Sequence, residues 1–95
     1  MSYEQHVYIK HGMVDGVDRW FWLKPDKDCF DIIAKDWVSH KLLLKQILSY
    51  NRVVIQAGGN LGMYPRLYSR IFDTVYTFEP DPLNFYCLAL NCQFD

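Results

Sequence analysis

The chain has 95 residues, a formal net charge of −1 at pH 7 and a sequence pI of about 6.2. Its length allows one small domain, and its 51% of apolar residues excludes a disordered segment. No run of Lys and Arg could neutralise a phosphate backbone and no stretch has the length of a membrane span, so neither nucleic acid nor a membrane is expected as a partner.

The first third of the sequence predicts a β-hairpin. The apolar segments HVYIKHGMV and VDRWFWL flank Asp15 and Gly16, a pair that suits a two-residue turn with positive φ angles. Alternation along the second strand puts Trp20 and Trp22 on one face, which we interpret as core packing rather than as an aromatic clamp for a cofactor. Residues 1–36 form this predicted N-terminal hairpin lead-in.

An amphipathic helix is predicted next. The segment CFDIIAKDW leaves strand and irregular structure open, but WVSHKLLLKQIL, residues 37–48, has apolar residues at helical spacing. The lysines of this segment fall on the opposite side of the helix. We expect the apolar stripe to face the core, and it consists of Trp37, Leu43, Leu44, Ile47 and Leu48.

A β-α-β unit follows the helix. The segment VVIQA is too apolar for a strand with a solvated face and is typical of parallel strands that are covered on both sides. MYPRLYSRIF predicts a helix that tolerates Pro65 in its first turn, and TVYTF predicts a second buried strand. We expect the strands, near residues 52–57 and 74–79, to pair in parallel. Asp81 and Pro82 then supply an N-cap and a first helical residue for a further helix.

The glycine-rich loop after the first of these strands indicates a ligand site. Glycines at the carboxyl end of a parallel strand let a ligand approach free backbone N–H groups. Glu79 ends the next strand, 21 residues after Gly58, where doubly wound folds place a carboxylate on the hydroxyls of a ribose. Together the two features predict an adenosine-containing ligand, whereas the alternative is a β-α-β turn with an incidental glutamate.

The spacing of the glycines narrows the class of ligand. A dinucleotide fingerprint, G-x-G-x-x-G, would need glycine where the chain has Asn60 and Met63, and a P-loop would need a lysine after Gly62. Both patterns are absent. The chain has G-x-N-x-G instead, in which Asn60 can adopt the left-handed conformation that glycine would otherwise supply.

The segments VVIQAGGNLGMY and VYTFEPDPLNFYCLALN resemble the S-adenosylmethionine (SAM)-dependent methyltransferases of the FkbM type. That family carries an h-h-D-h-G-A-N-h-G loop, where h is hydrophobic, and an F-E-P-x-P strand end. The resemblance covers roughly residues 42–92. It implies an α/β fold with a Rossmann-like class I methyltransferase sheet, of which the chain has the first two parallel strands and their crossover helix, after the hairpin and the amphipathic helix. Residues 37–95 would then begin the SAM-binding domain and leave it incomplete at its C-terminal end.

The resemblance also implies how SAM is bound. The loop residues Gly58, Asn60 and Gly62 would lie under the methionine part of SAM, and Glu79 would bind the ribose hydroxyls. Pro80 and Asp81 would border the adenine. The full implied cofactor-binding set is Gln56, Ala57, Gly58, Gly59, Asn60, Gly62, Glu79, Pro80 and Asp81.

Two positions depart from the family pattern. Gln56 stands where the family has aspartate, so the negative charge that would favour the ammonium group of SAM is lost. Gly59 replaces the usual alanine, and we expect this minor change to add backbone freedom and some entropic cost.

The implied activity is methyl transfer to an oxygen of a sugar or small metabolite. A hydroxyl acceptor needs a base, and no residue of the sequence stands out as that base, so the 95-residue chain alone is expected to be inactive. Two alternatives remain open: a non-catalytic remnant or interaction module of the same fold, and an NAD(P)-binding oxidoreductase domain. The sequence does not predict the oligomeric state.

The cysteines and histidines indicate no further site. The cysteines, which lack C-x-x-C spacing, predict buried, reduced thiols, and the histidines predict solvated or strand-edge side chains rather than metal ligands. The N-terminus lacks the basic start and apolar stretch of a secretory signal, which predicts a cytoplasmic protein.

Overall fold

The computed structural model describes residues 2–47 and 52–93 and shows a mixed α/β arrangement. Two short 3-10 helices, at Tyr3–His6 and Lys24–Cys29, accompany the strands and helices. In chain order the strands and α-helices are β1 Val7–Val14, β2 Val17–Leu23, α1 Phe30–Ile47, β3 Val53–Ala57, α2 Met63–Tyr68, β4 Thr74–Phe78 and α3 Pro82–Cys92. Among the described residues, no helix combines the length and apolar character that a membrane span requires.

The predicted hairpin is confirmed. Strands β1 and β2 pair antiparallel, and the turn between them has positive φ angles at Asp15 (50°) and Gly16 (85°). Trp20 and Trp22 are fully buried, and both indole rings pack edge-on against Phe30 at the start of α1. The hairpin is therefore joined to α1 by an aromatic core.

Helix α1 begins at Phe30 rather than near Trp37, so the segment CFDIIAKDW is mostly helical. Its buried stripe runs through Phe30, Trp37 and Leu44, which recur every two turns on one face. Leu43 lies off this stripe and is 51% exposed, so its predicted core position is wrong. Leu48 and the side chain of Ile47 lie outside the described residues.

The turn residue Asp15 is bonded to α1. Lys41 Nζ lies 2.8 Å from each Asp15 carboxylate oxygen, and Trp37 Nε1 donates to Oδ2 at 3.2 Å. The hydrogen bond from Lys41, helped by Trp37 and by the positive charges of Lys41 and Arg70, holds the pKa of Asp15 below its ordinary value of 3.8.

Asp15→Asn is expected to lower the free energy of unfolding by about 0.5–1 kcal/mol at pH 7, because asparagine tolerates the turn but lacks the charge. The folded-state pKa is depressed, so this stabilisation is present above pH 3.8 and is lost as the pH falls through the lower folded-state pKa. Urea unfolding of both proteins from pH 7 down to about pH 2 measures the difference. A difference that persists unchanged at about pH 2 would contradict this role of the carboxylate.

Strands β3 and β4 are adjacent and parallel, as predicted, with a register that runs from Val53 opposite Thr74 to Ala57 opposite Phe78. The expectation that both strands are buried on both faces is wrong. One face is half-buried, but the other is exposed, and Ile55 on that face is 72% exposed. The described helices cover one face of this two-stranded sheet, so its side chains alternate in burial.

Helices α2 and α3 differ in how closely they follow the prediction. Helix α2 tolerates Pro65 in its first turn but ends at Tyr68, and tight turns follow instead of the predicted helix to Phe72. Helix α3 begins as predicted, because the Asp81 carboxylate accepts a hydrogen bond from the N–H of Asn84 at 3.0 Å and Pro82 occupies the first turn.

An aromatic cluster joins α1 to α2. Trp37 and His40 of α1 pack against Tyr64 and Tyr68 of α2, and the His40 ring stacks on Tyr64 with centroids 5.2 Å apart. His40 Nε2 also hydrogen-bonds the Tyr68 hydroxyl at 2.6 Å. The expectation that His40 is a solvated side chain is therefore wrong, because the helix brings it onto two tyrosines.

Candidate functional site

The loop from Gly58 to Gly62 turns the chain sharply at the carboxyl end of β3. Three of its residues have positive φ angles: Gly58 at 78°, Asn60 at 53° and Gly62 at 98°. Asn60 therefore adopts the left-handed conformation that the sequence predicted for it. The loop leads directly into α2, whose N-cap is Gly62.

The loop N–H groups are less available to a ligand than expected. Gly58 and Gly59 both donate to the Phe78 carbonyl, at 2.7 and 3.0 Å, and Gly62 donates to the Gly59 carbonyl at 3.1 Å. The expectation of several free N–H groups is therefore wrong for these glycines. Pairing of β3 with β4 extends beyond the strands into the loop and uses these donors.

Glu79 lies against the glycine loop. Its Oε1 accepts a hydrogen bond from the Asn60 N–H at 2.7 Å, and its Oε2 accepts one from the Asp81 N–H at 3.0 Å. Each carboxylate oxygen has a second lone pair that can accept a further hydrogen bond. The carboxylate thus joins the ends of the two parallel strands and retains acceptor capacity. Asn84 of α3 adds a contact, because its Nδ2 donates to Asn60 Oδ1 at 3.3 Å.

A cavity of about 260 Å³ lies on the α1 side of the loop. Parts of the hairpin, α1, β3, the loop and α2 line it, through Trp22, Ile33, Asp36, Gln56, Gly58, Gly59, Asn60, Leu61, Met63 and Tyr64. The cavity is smaller than the ~300–1,000 Å³ typical of a site for a whole small molecule. Its size therefore suits only a part of such a molecule.

The structure places the predicted binding residues in two groups. Gln56, Gly58, Gly59 and Asn60 line the cavity, whereas the cavity wall in the described part of the chain does not include the remaining ones. Of these, Gly62 lies buried against α3 and Ala57 is exposed at the end of β3. The other three directly follow β4 and are Glu79, Pro80 and Asp81.

Gln56 differs from an aspartate in more than charge. Its Oε1 accepts a hydrogen bond from the Thr77 hydroxyl at 3.1 Å. The amide oxygen retains one lone pair, and the NH2 group remains as a donor. The side chain can therefore donate to an anionic group of a ligand, and it lacks the negative charge that would favour a cationic one.

Gly59 is held in a close contact between the loop and α3. A Cβ atom at this position would lie 2.5 Å from Leu88 Cδ1 and would also meet the Thr77 hydroxyl. Glycine at this position thus also avoids these contacts, in addition to the backbone freedom expected from the sequence. The absence of a side chain lets Leu88 pack directly on the loop.

Asn91 is a structural residue of the site that the sequence pattern did not single out. Its amide is fully buried, its Oδ1 accepts from the Phe21 N–H at 2.7 Å, and its Nδ2 donates to the carbonyls of Phe21 and Leu61, each at 2.7 Å. The amide thus joins α3, the hairpin and the loop. Its position four residues after Cys87, on the apolar stripe of α3, could have indicated from the sequence that Asn91 is buried.

The thiol nearest to this contact is not a reactive group. Cys87 is buried, and its Sγ–H donates to the Phe21 carbonyl at 3.1 Å. Burial, with a smaller contribution from the charge of Asp26, raises the pKa of Cys87 to about 12. A thiol with this pKa is not a nucleophile at neutral pH. Cys29 is exposed, contrary to the expectation of buried cysteines.

Comparisons with protein-family models, with curated proteins and with solved structures find no match for this chain. Within residues 2–47 and 52–93, no group of three or more His, Cys, Asp and Glu side chains is arranged to hold a metal ion. A functional proposal is therefore based on the geometry of the glycine loop, the Glu79 carboxylate and the cavity.

Proposed function

We propose that the chain carries the cofactor-binding part of a Rossmann-like, SAM-dependent methyltransferase of the FkbM type, which methylates an oxygen of a sugar or small metabolite. The observation that carries the proposal is the contact between Glu79 and the glycine loop at the carboxyl ends of two adjacent parallel strands. In doubly wound folds this edge of the sheet is where ligands bind.

The two ends of the ligand would meet different parts of this edge. The remaining lone pairs of the Glu79 carboxylate suit the two hydroxyls of a ribose. The cavity beside the loop has room for the amino-acid end of SAM. Bound SAM supplies an activated methyl group, and the residues of this chain bind and orient the molecule that carries it.

An NAD(P)-binding domain is disfavoured by a specific contact. A pyrophosphate is normally held by free N–H groups of a glycine loop at a helix N-terminus. Here Gly58 and Gly59 donate to the Phe78 carbonyl instead. The loop therefore lacks two of the donors that a dinucleotide would need.

The proposal is tested by titrating the ¹⁵N-labelled chain with S-adenosylhomocysteine, the demethylated product of SAM. We expect amide shifts confined to the loop, the start of α2 and the end of β4, with a Kd on the order of 0.1–1 mM because the cavity encloses only one end of the ligand. NADH, titrated in parallel, is expected to bind more weakly. No shift with S-adenosylhomocysteine at millimolar concentration would overturn the proposal.

Glu79→Ala is expected to weaken S-adenosylhomocysteine binding by about 1.5–3 kcal/mol, the scale of hydrogen bonds to a charged group. The matched control is Asp73→Ala, which removes an exposed carboxylate just before the same strand. The control should bind like the unmodified chain. Equal affinities of the Glu79→Ala variant and the unmodified chain would show that the carboxylate does not contact the ribose.

A further inference from the structure

The charge of the cavity comes from α1. Among the described residues that line it, Asp36 carries a negative charge, and none carries a positive charge. Asp36 is exposed, so its carboxylate can meet a ligand that enters the cavity. Tyr64 also lines the cavity, and its pKa is raised by burial and, to a smaller extent, by the charge of Asp36.

The remaining walls of the cavity suit a ligand with a positive group near Asp36. Tyr64 and the fully buried Trp22 line the same space, and neither side chain carries a positive charge that would repel a cation. Gln56 offers N–H donors there but no charge, and its carbonyl oxygen accepts from Thr77. An ammonium group would therefore be attracted more strongly to the charged carboxylate of Asp36 than to the neutral amide of Gln56.

From this arrangement we infer that Asp36 binds the α-ammonium group of the amino-acid end of the ligand, while the Gln56 amide donates to its α-carboxylate. The inference rests on the proposed function and names the residue that supplies the charge missing from the end of β3. The ligand class is an adenosyl thioether or sulfonium that carries an amino acid. Asp36 comes from the helix that precedes the β-α-β unit, so the site would combine two parts of the chain that are distant in sequence.

The test compares two ligands on two proteins. S-Adenosylhomocysteine carries the amino acid, whereas 5′-methylthioadenosine has the same adenosine and sulfur but no ammonium group. Asp36→Asn is expected to raise the Kd for S-adenosylhomocysteine roughly 10-fold, as for the loss of one hydrogen bond to a charged group, and to leave the Kd for 5′-methylthioadenosine unchanged.

Two further variants control the interpretation. Asp31→Asn removes an exposed carboxylate from the same helix outside the cavity wall and should change neither Kd. Asp36→Glu keeps the charge and should retain most of the affinity for S-adenosylhomocysteine.

The outcomes separate this inference from the proposed function. If the unmodified chain binds S-adenosylhomocysteine and Asp36→Asn binds it equally well, the inference is overturned and the proposed function stands. An equal loss for both ligands would show that Asp36 supports the fold and would also overturn the inference. If the unmodified chain binds neither ligand, the proposed function fails and this inference fails with it.

Discussion

Replacing Asn91 with alanine is expected to lower the free energy of unfolding by about 3 kcal/mol or more. The change removes three hydrogen bonds made by a fully buried amide, two to Phe21 and one to the Leu61 carbonyl. A buried polar group that loses its partner costs about 1–3 kcal/mol, and the space left by the amide adds to this. Small domains are stabilised by only about 5–15 kcal/mol in total, so the loss is a large fraction.

Urea unfolding monitored by tryptophan fluorescence measures this effect, because Trp20 and Trp22 lie in the hairpin to which Asn91 is bonded. The matched control is Gln93→Ala, at the residue directly after the end of α3. Gln93 is exposed, and its substitution should change stability by less than about 0.5 kcal/mol. Equal stabilities of the two variants would show that the buried amide does not hold α3 on the hairpin.

Gly62→Ala is expected to destabilise the protein by about 2–4 kcal/mol. Gly62 has a φ of 98°, which a residue with a Cβ adopts only with strain. A Cβ at this position would also lie 2.8 Å from the Leu88 Cα, a backbone atom of α3 that cannot move without shifting the helix. Strain and overpacking thus act together.

Gly58→Ala separates these two causes. Gly58 also has a positive φ, 78°, but no atom lies within 4 Å of the position that a Cβ would take. The Gly58→Ala variant should therefore lose only about 1 kcal/mol of stability, which is the cost of the strained φ angle alone. Thermal unfolding of both variants measures the difference. Equal losses of stability in the Gly62→Ala and Gly58→Ala variants would mean that α3 moves away from the loop at no cost in free energy.

The sequence by itself determined the elements whose signals are local. Asp15 and Gly16 take the positive φ angles of the hairpin turn, and Asp81 caps α3 through the N–H of a residue three positions later. The apolar segments around the glycine loop pair as adjacent parallel strands, as their lengths and composition predicted. The turn and the helix cap depend on residues a few positions apart, and the strand pairing follows from the order and apolar composition of consecutive segments.

Only the tertiary structure decided which faces are buried and which groups of the site meet. Leu43 and Ile55 are exposed because no described element covers their faces, and helix periodicity or strand composition does not contain that information. Likewise, Asn91 bonds Phe21, and Asp36 shares a cavity with Gln56, through packing between segments that are distant in sequence. Burial and hydrogen-bond partners depend on these long-range contacts, whereas sequence patterns report the preferences of each segment alone.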